Sequence, residues 1–384
     1  MITENISAAV PNVDSASILD SHGGAKPFIH PPMHPMFDKS VTSVRLYLVQ
    51  VAFSSVAAVG STFDLAQAGI TNLDAYALSA INITRTNYHD WPDSIIMNNG
   101  KVEAVIVPAI GRVMQFKFIG DNDGPLWNQR KLDGQASDPN STEWRHFGGD
   151  KTWPAPQADW SQITDRPWPP PPAFDSMPVQ ATTEQGMVTL TSPVDPFYGI
   201  HTIRQIMLVP GKPVMRIETT YEKVQGNPQR VAVWVITQVR HPVGVYLRVP
   251  SASIFPQGCN NQGPALPPSL RVEKGLLSLT RDPKVAYKIG SDAGALLWVG
   301  EKTALMIESP RDENGDYPDH GSSVEIYTNP DALPYVELEM LGPLHTMKVG
   351  DRIQRSSTYT LFPREVSSSA AQAREILGLQ AAQR

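Results

Sequence analysis

The chain has 384 residues, of which 41% are apolar and only 18% charged, with 35 prolines and 27 glycines; that composition suits many short strands joined by turns, and one large all-β domain fits in the length. A formal net charge of -6 with scattered Lys and Arg leaves no basic footprint for a phosphate backbone, so nucleic acid is excluded as a partner. The single cysteine, Cys259, excludes an internal disulfide and a cysteine-only metal site.

In chain order, residues 1–35 carry no periodicity and read as a disordered leader or a mis-assigned start, with Met36 as the alternative start. Residues 36–68 read as a signal peptide: Lys39 and Arg45 precede the apolar, uncharged run Leu46–Gly60, and Ala66-Gln67-Ala68 follows before Gly69. Gln50, Ser54 and Ser55 interrupt that run, which argues against a stable membrane span after cleavage. A buried core helix is the competing reading. The expectation is an exported protein, periplasmic or secreted, whose domain spans residues 69–384.

After a polar lead-in, the turn signal Asn98-Asn99-Gly100 opens the alternating run Lys101–Val107, and Pro108–Gly111 leads into Arg112–Ile119, which together read as a hairpin. Further period-two runs lie at Met187–Thr191, Thr202–Val209, Val214–Tyr221, Val231–Val239, Gly244–Val249, Ala295–Val299, Ala304–Glu308, Val324–Thr328, Tyr335–Leu341 and Ser356–Phe362. Two stretches break the pattern, Asp121–Ser176 and Pro250–Pro268, and long irregular segments of this kind in a compact domain are functional or disordered. Five tryptophans in the first favour packing over disorder. Residues 367–379 read as a short helix on the surface.

Two constellations could carry chemistry. Trp144 to Trp160 packs aromatic residues with Arg145, His146, Asp150, Lys151 and Asp159 around Gly148-Gly149. Tryptophan faces stack on the C–H faces of a sugar ring while charged and amide groups bond its hydroxyls. The alternative is that the tryptophans plug the open end of a sandwich. On Tyr335–Leu341, alternation puts Glu337 and Glu339 on one face, and two neighbouring carboxylates raise each other's pKa toward a value useful for proton transfer. A solvent-facing pair of acids is the equal alternative. Arg112, at the start of its strand, could reach a hydroxylated or acidic ligand. The histidines lack metal-ligand spacing, so no metal site and no cofactor are expected.

The runs N-G-K-V-E-A-V-I-V-P-A-I-G-R-V-M-Q-F-K-F at Asn99–Phe118, H-F-G-G-D-K-T-W at His146–Trp153 and V-E-L-E-M-L-G-P at Val336–Pro343, in that order, resemble segments of the galactose-mutarotase-like (aldose 1-epimerase-like) superfamily. F-G-G-D-K-T-W-P-A-P-Q, V-W-V-I-T-Q at Val233–Gln238 and K-I-G-S-D-A-G-A-L-L-W at Lys288–Trp298 are similar to its DUF4380-type branch. The resemblance covers about residues 85–364 and implies a supersandwich of large, mostly antiparallel sheets with a carbohydrate, small or oligomeric, on the concave face.

In aldose 1-epimerases a glutamate takes the proton of the anomeric hydroxyl and a histidine protonates the ring oxygen, and the resemblance assigns the base to Glu339. The strand that should present the histidine carries Gln238, which cannot act as an acid, so His146 stands in. Arg112, Trp144, Asp150, Lys151, Trp153, Trp234, Gln238 and Glu337 are the expected substrate-binding residues. A non-catalytic carbohydrate-binding protein, a lyase or epimerase of another reaction type, and an interaction module are the competing readings.

Overall fold

The computed structural model describes residues 81–138, 143–164, 166–365 and 368–379. The leader, the signal peptide and the start of the expected domain lie outside them. Among the described residues no helix is long and apolar enough to cross a membrane.

The chain opens with a meander of β1 (Asn82–Tyr88), β2 (Trp91–Asn98), β3 (Val102–Val107) and β4 (Arg112–Phe118). β5 (Asp150–Ala155) follows, then the single turns α1 (Trp160–Ile163) and α2 (Pro172–Asp175). Next come β6 (Gln180–Glu184), β7 (Met187–Thr191), β8 (Ile200–Leu208), β9 (Val214–Lys223), β10 (Gln229–Arg240), β11 (Gly244–Arg248), β12 (Asn260–Asn261), β13 (Arg271–Glu273) and β14 (Leu276–Leu279). The chain then runs through β15 (Tyr287–Ser291), β16 (Ala295–Val299), β17 (Thr303–Glu308), β18 (Val324–Thr328), β19 (Tyr335–Leu341), β20 (His345–Met347), β21 (Arg352–Pro363) and α3 (Ser369–Ile376).

These strands form two antiparallel sheets. The first runs β1, β2, β3, β4, β5, β10, β19, β18, β15, β12, with β20 also on β10; the second runs β13, β14, β11, β16, β17, β21, β9, β8, β7, β6. This is an all-β supersandwich. The strands that approach full burial are central: β10 is buried from Val231 to Val239, and every residue of β19 is buried. β8, by contrast, buries alternate residues from Ile200 to Leu208, as a strand with one core face must.

Period two places the residues of the first sheet. On β10, Val235, Thr237 and Val239 face the second sheet, and on β5 so do Asp150 and Thr152. Arg204 of β8 meets them there, bonded to the carboxylate of Asp150, which also accepts from Thr237 at 2.7 Å and from Tyr359 of β21 at 2.6 Å. The Thr152 and Tyr221 hydroxyls pair at 2.6 Å in the same layer. A polar network thus sits inside an apolar core with its groups satisfied.

Three elements differ from the sequence reading. β1 and β2 fall where only a polar lead-in is expected, because β1 is an edge strand with little buried surface and therefore no apolar period. β5 lies within the irregular stretch Asp121–Ser176. The expected C-terminal surface helix is α3, anchored because Ala373 and Leu377 join a cluster with Tyr246, Leu276, Leu297, Val299 and Ala304 on the second sheet.

Candidate functional site

The opposite face of the first sheet collects the polar residues. Register sets them side by side: Glu337 pairs with Gln238 of β10 and Tyr327 of β18, and Glu339 pairs with Ile236 and Glu325. Lys288 of β15 is opposite Tyr327, and Trp153 of β5 is opposite Trp234. Lys151, two residues before Trp153, therefore faces the same way, while Asp150 does not.

The contacts follow from that parity. The Trp234 indole donates to Glu339 Oε2 at 2.9 Å, and the Gln238 amide donates to Glu337 Oε1 at 2.9 Å. Lys288 Nζ lies 2.7 Å from Glu325 and 3.1 Å from Glu339, over the Trp234 ring at 4.8 Å. Lys151 Nζ lies 3.7 Å from Glu337 and over the rings of Trp153 and Trp144 at 4.6 and 5.5 Å. Lys151 Nζ, Gln238 Oε1 and Glu339 Oε1 are buried with no hydrogen-bond partner among the described residues. Each such atom costs about 1–3 kcal/mol unless something supplies a partner.

An aromatic wall borders this floor. Trp144 and Trp168 pack edge to face at 5.1 Å, with Trp153 5.4 Å from Trp144 and 5.4 Å from Trp234. Trp168 is 39% exposed and Trp144 half-buried, whereas Trp153 and Trp234 are at 3% and 2%. Only the outer pair can stack on a ligand in this conformation; Trp153 and Trp234 form the layer behind. The turn that brings His146 beside Trp144 depends on Gly148 and Gly149, at φ 92° and 72°, since a Cβ on Gly148 would press into the Trp127 carbonyl.

Electrostatics follow from burial. Desolvation, opposed by Lys288 and reinforced by Glu325, lifts the Glu339 carboxyl to about 7. Burial also raises Glu337 and Glu325, against the pull of Lys151 on the first and Lys288 on the second. Lys151 is pushed down to about 8 by burial, Glu337 opposing. For Lys288 burial acts downward, but Glu325 and Glu339 prevail and its pKa is raised. His146, buried and near Lys151 and Arg112, is pushed down to about 4.

The structure therefore brings Glu337, Glu339, Gln238, Trp234, Lys151, Trp153, Trp144 and His146 together and sets two expected residues apart. Asp150 is a correction: it points into the inter-sheet core, where Arg204, Thr237 and Tyr359 occupy its oxygens. Arg112 is fully buried, donating to the Gly148 carbonyl and to Asp175 at 2.8 Å each, so it faces no ligand. Asp175 also accepts from Trp153 at 2.8 Å and Trp144 at 3.1 Å, which makes the Arg112–Asp175 pair the brace of the wall. His146 sits at the site, 3.3 Å from the Tyr335 hydroxyl. With so low a pKa it is neutral near pH 7 and holds no spare proton, which counts against the acid role the sequence suggests. Sequence reasoning missed Lys288, Glu325 and Asp175. Among the described residues no His, Cys, Asp and Glu group is arranged to hold a metal ion.

No protein-family model and no curated protein matches the chain. Among solved structures, a galactose mutarotase-like protein from Lactobacillus casei aligns with a TM-score of 0.50 at 12% identity, over 70% of this chain and 100% of that one. A TPR-domain protein from Parabacteroides distasonis aligns at 0.46 and 14%, over 71% and 48%, and a candidate aldose 1-epimerase from Escherichia coli K12 at 0.47 and 10%, over 74% and 99%. At 12% identity the first likeness shows the fold: a galactose-mutarotase-like supersandwich.

Proposed function

We propose that the chain holds a carbohydrate against Trp144 and Trp168 on the polar face of the first sheet and interconverts the anomers of an aldose by proton transfer at its glutamates. One observation carries this reading. Five strands aim Glu325, Glu337, Glu339, Lys151, Lys288 and Gln238 at one patch beside an aromatic wall, and several of their buried polar atoms lack partners among the described residues. A sugar ring supplies both halves of the complement, an apolar face for the indoles and hydroxyls that accept from ammonium and donate to carboxylate. A carboxyl near neutrality is suited to giving or taking a proton at working pH.

A carbohydrate-binding protein without catalysis is favoured by a different fact: the Glu339 side chain is only 1% exposed and that of Glu337 10%. In that reading the ligand rests on Trp144 and Trp168, and the buried carboxylates form the polar layer behind them. We also take Leu46–Gly60 as an export signal, a role tested by N-terminal sequencing of the protein recovered outside the cytoplasm.

The deciding experiment is a thermal-shift screen of the protein against neutral, acidic and oligomeric saccharides, followed by NMR of anomeric exchange for each hit. Exchange accelerated by the wild type and lost in Glu339→Gln supports the epimerase. Stabilisation without exchange supports the binding protein, and no stabilisation by any saccharide removes both.

A further inference from the structure

Three glutamates and two lysines meet on the site face, and their charges do not match. Lys288 lies against Glu325 and Glu339, and Lys151 against Glu337. Two ammoniums balance two carboxylates, and a third buried carboxylate has no counter-charge of its own, which is costly enough that it keeps a proton.

Register identifies which one. Glu325 and Glu339 are directly opposed on β18 and β19, where Cβ atoms lie about 5 Å apart, and like charges so placed do not both ionise readily. Glu337 is opposed by Tyr327 and Gln238, neither charged, and takes the Gln238 amide. Within the opposed pair Glu325 has the closer ammonium, 2.7 against 3.1 Å. Glu339 Oε2 takes the Trp234 N–H; Oε1 of Glu339, like both oxygens of Glu325, has no hydrogen-bond partner among the described residues, so a proton on Glu339 Oε1 is free to be shared across the pair. The other titratable groups near Glu339 are Lys151, Tyr327, Tyr335 and Asp319, the last from the turn Pro318–Gly321. Asp319 adds negative charge and so works in the same direction as Glu325.

We propose that Glu339 holds the odd proton of this cluster and is the site's proton donor, with Glu337 as the acceptor and Glu325 as the residue that keeps Glu339 protonated. The inference rests on the epimerase reading and supplies the acid that neither Gln238 nor a neutral His146 can provide. Two residues apart on one face of a strand, Glu337 and Glu339 have Cβ atoms spaced about 7 Å, from which their carboxyls can flank the anomeric hydroxyl and the ring oxygen of one sugar. Glu337 removes the proton of the anomeric hydroxyl O1, and that electron pair forms the C1=O1 bond. The C1–O5 bond breaks with its pair going to O5, which takes the proton of Glu339. After rotation about C1–C2 the same transfers run backwards on the other face of the aldehyde. O5 loses its proton to Glu339 and attacks C1, O1 takes one from Glu337, and no co-reactant is consumed.

The test uses the whole protein, labelled with 13C at the glutamate carboxyls and titrated without ligand by NMR, as wild type, Glu339→Gln, Glu325→Gln and Glu325→Asp. A signal absent from Glu339→Gln should titrate near neutrality, move at least one pH unit lower in Glu325→Gln and stay in Glu325→Asp. The second measurement is anomeric exchange of α-D-galactose and α-D-glucose across pH 5–9. Its rate should fall as Glu339 ionises, and a tenfold stronger acid at that position lowers the protonated fraction at pH 7 about fivefold. Exchange by a wild type whose Glu339 is ionised at pH 6 overturns the donor role and leaves the epimerase standing. A titration and a pH limb that Glu325→Gln does not move overturn the part given to Glu325. No exchange of either sugar, with Glu339 neutral, removes the donor role together with the epimerase reading.

Discussion

Arg112 and Asp175 form a buried ion pair at 2.8 Å behind the tryptophan wall, and the same carboxylate holds the indole N–H groups of Trp153 and Trp144. Asp175→Ala leaves a buried guanidinium without its counter-charge and two indoles without an acceptor. The expected loss is about 3–5 kcal/mol in urea unfolding, with a changed near-ultraviolet circular dichroism from the displaced tryptophans. Asp175→Asn, which keeps an acceptor, should lose less.

Asp150 gives the opposite contrast between stability and binding. Asp150→Ala leaves the buried Arg204 guanidinium without its counter-charge and should cost about 3–5 kcal/mol. Saccharide affinity of the folded fraction, measured by calorimetry below the melting transition, should be unchanged. Weaker binding at unaltered stability would return Asp150 to the ligand face.

Lys288 is the shared cation of two carboxylates, so Lys288→Met should push both to hold protons more tightly. A carboxyl whose folded pKa is raised favours folding fully below its unfolded value, near 4.5, and loses that favour as pH rises through the folded value. Thermal melts at pH 5 and pH 8 should therefore differ more in Lys288→Met than in the wild type. Every tenfold gain in the proton affinity of either carboxyl adds about 1.4 kcal/mol to that difference.

His146 shifts the other way. Its folded pKa of about 4 against an ordinary 6.5 means that its contribution is present above pH 6.5 and is lost as pH falls through 4. In His146→Gln the acid side of the stability profile should flatten between pH 6.5 and 4. An unaltered profile would mean that the imidazole is already solvated.

The sequence makes the architecture readable because its short apolar runs, alternating in strands such as β7 and β8 and continuous in others, are bounded by turn residues, and Met187–Thr191, Ala295–Val299, Val324–Thr328 and Tyr335–Leu341 have the expected bounds. Alternation likewise puts Glu337 and Glu339 on one face, although burial rather than solvent surrounds them. Lys288 and Glu325 stay hidden because their importance comes from lateral neighbours on strands distant in sequence, which no local period reports. Asp175 sits in a proline-rich stretch with no signal beyond its own charge. Asp150 and Lys151 read alike as members of one polar cluster; only the pairing of β5 with β10 sends one into the core and the other to the site.

β10 serves the site with Trp234 and Gln238 and the core with Val235, Thr237 and Val239. Losing or gaining a single residue within it would exchange those two sets, placing the Gln238 amide where hydrocarbon belongs and leaving Asp150 without the Thr237 hydroxyl and Glu339 without the Trp234 indole. This strand can therefore drift by replacement but not by changes in length, whereas the turns that join the strands are free to lengthen. Length variation among descendants of this chain should accumulate in those turns and leave Gln229–Arg240 at twelve residues.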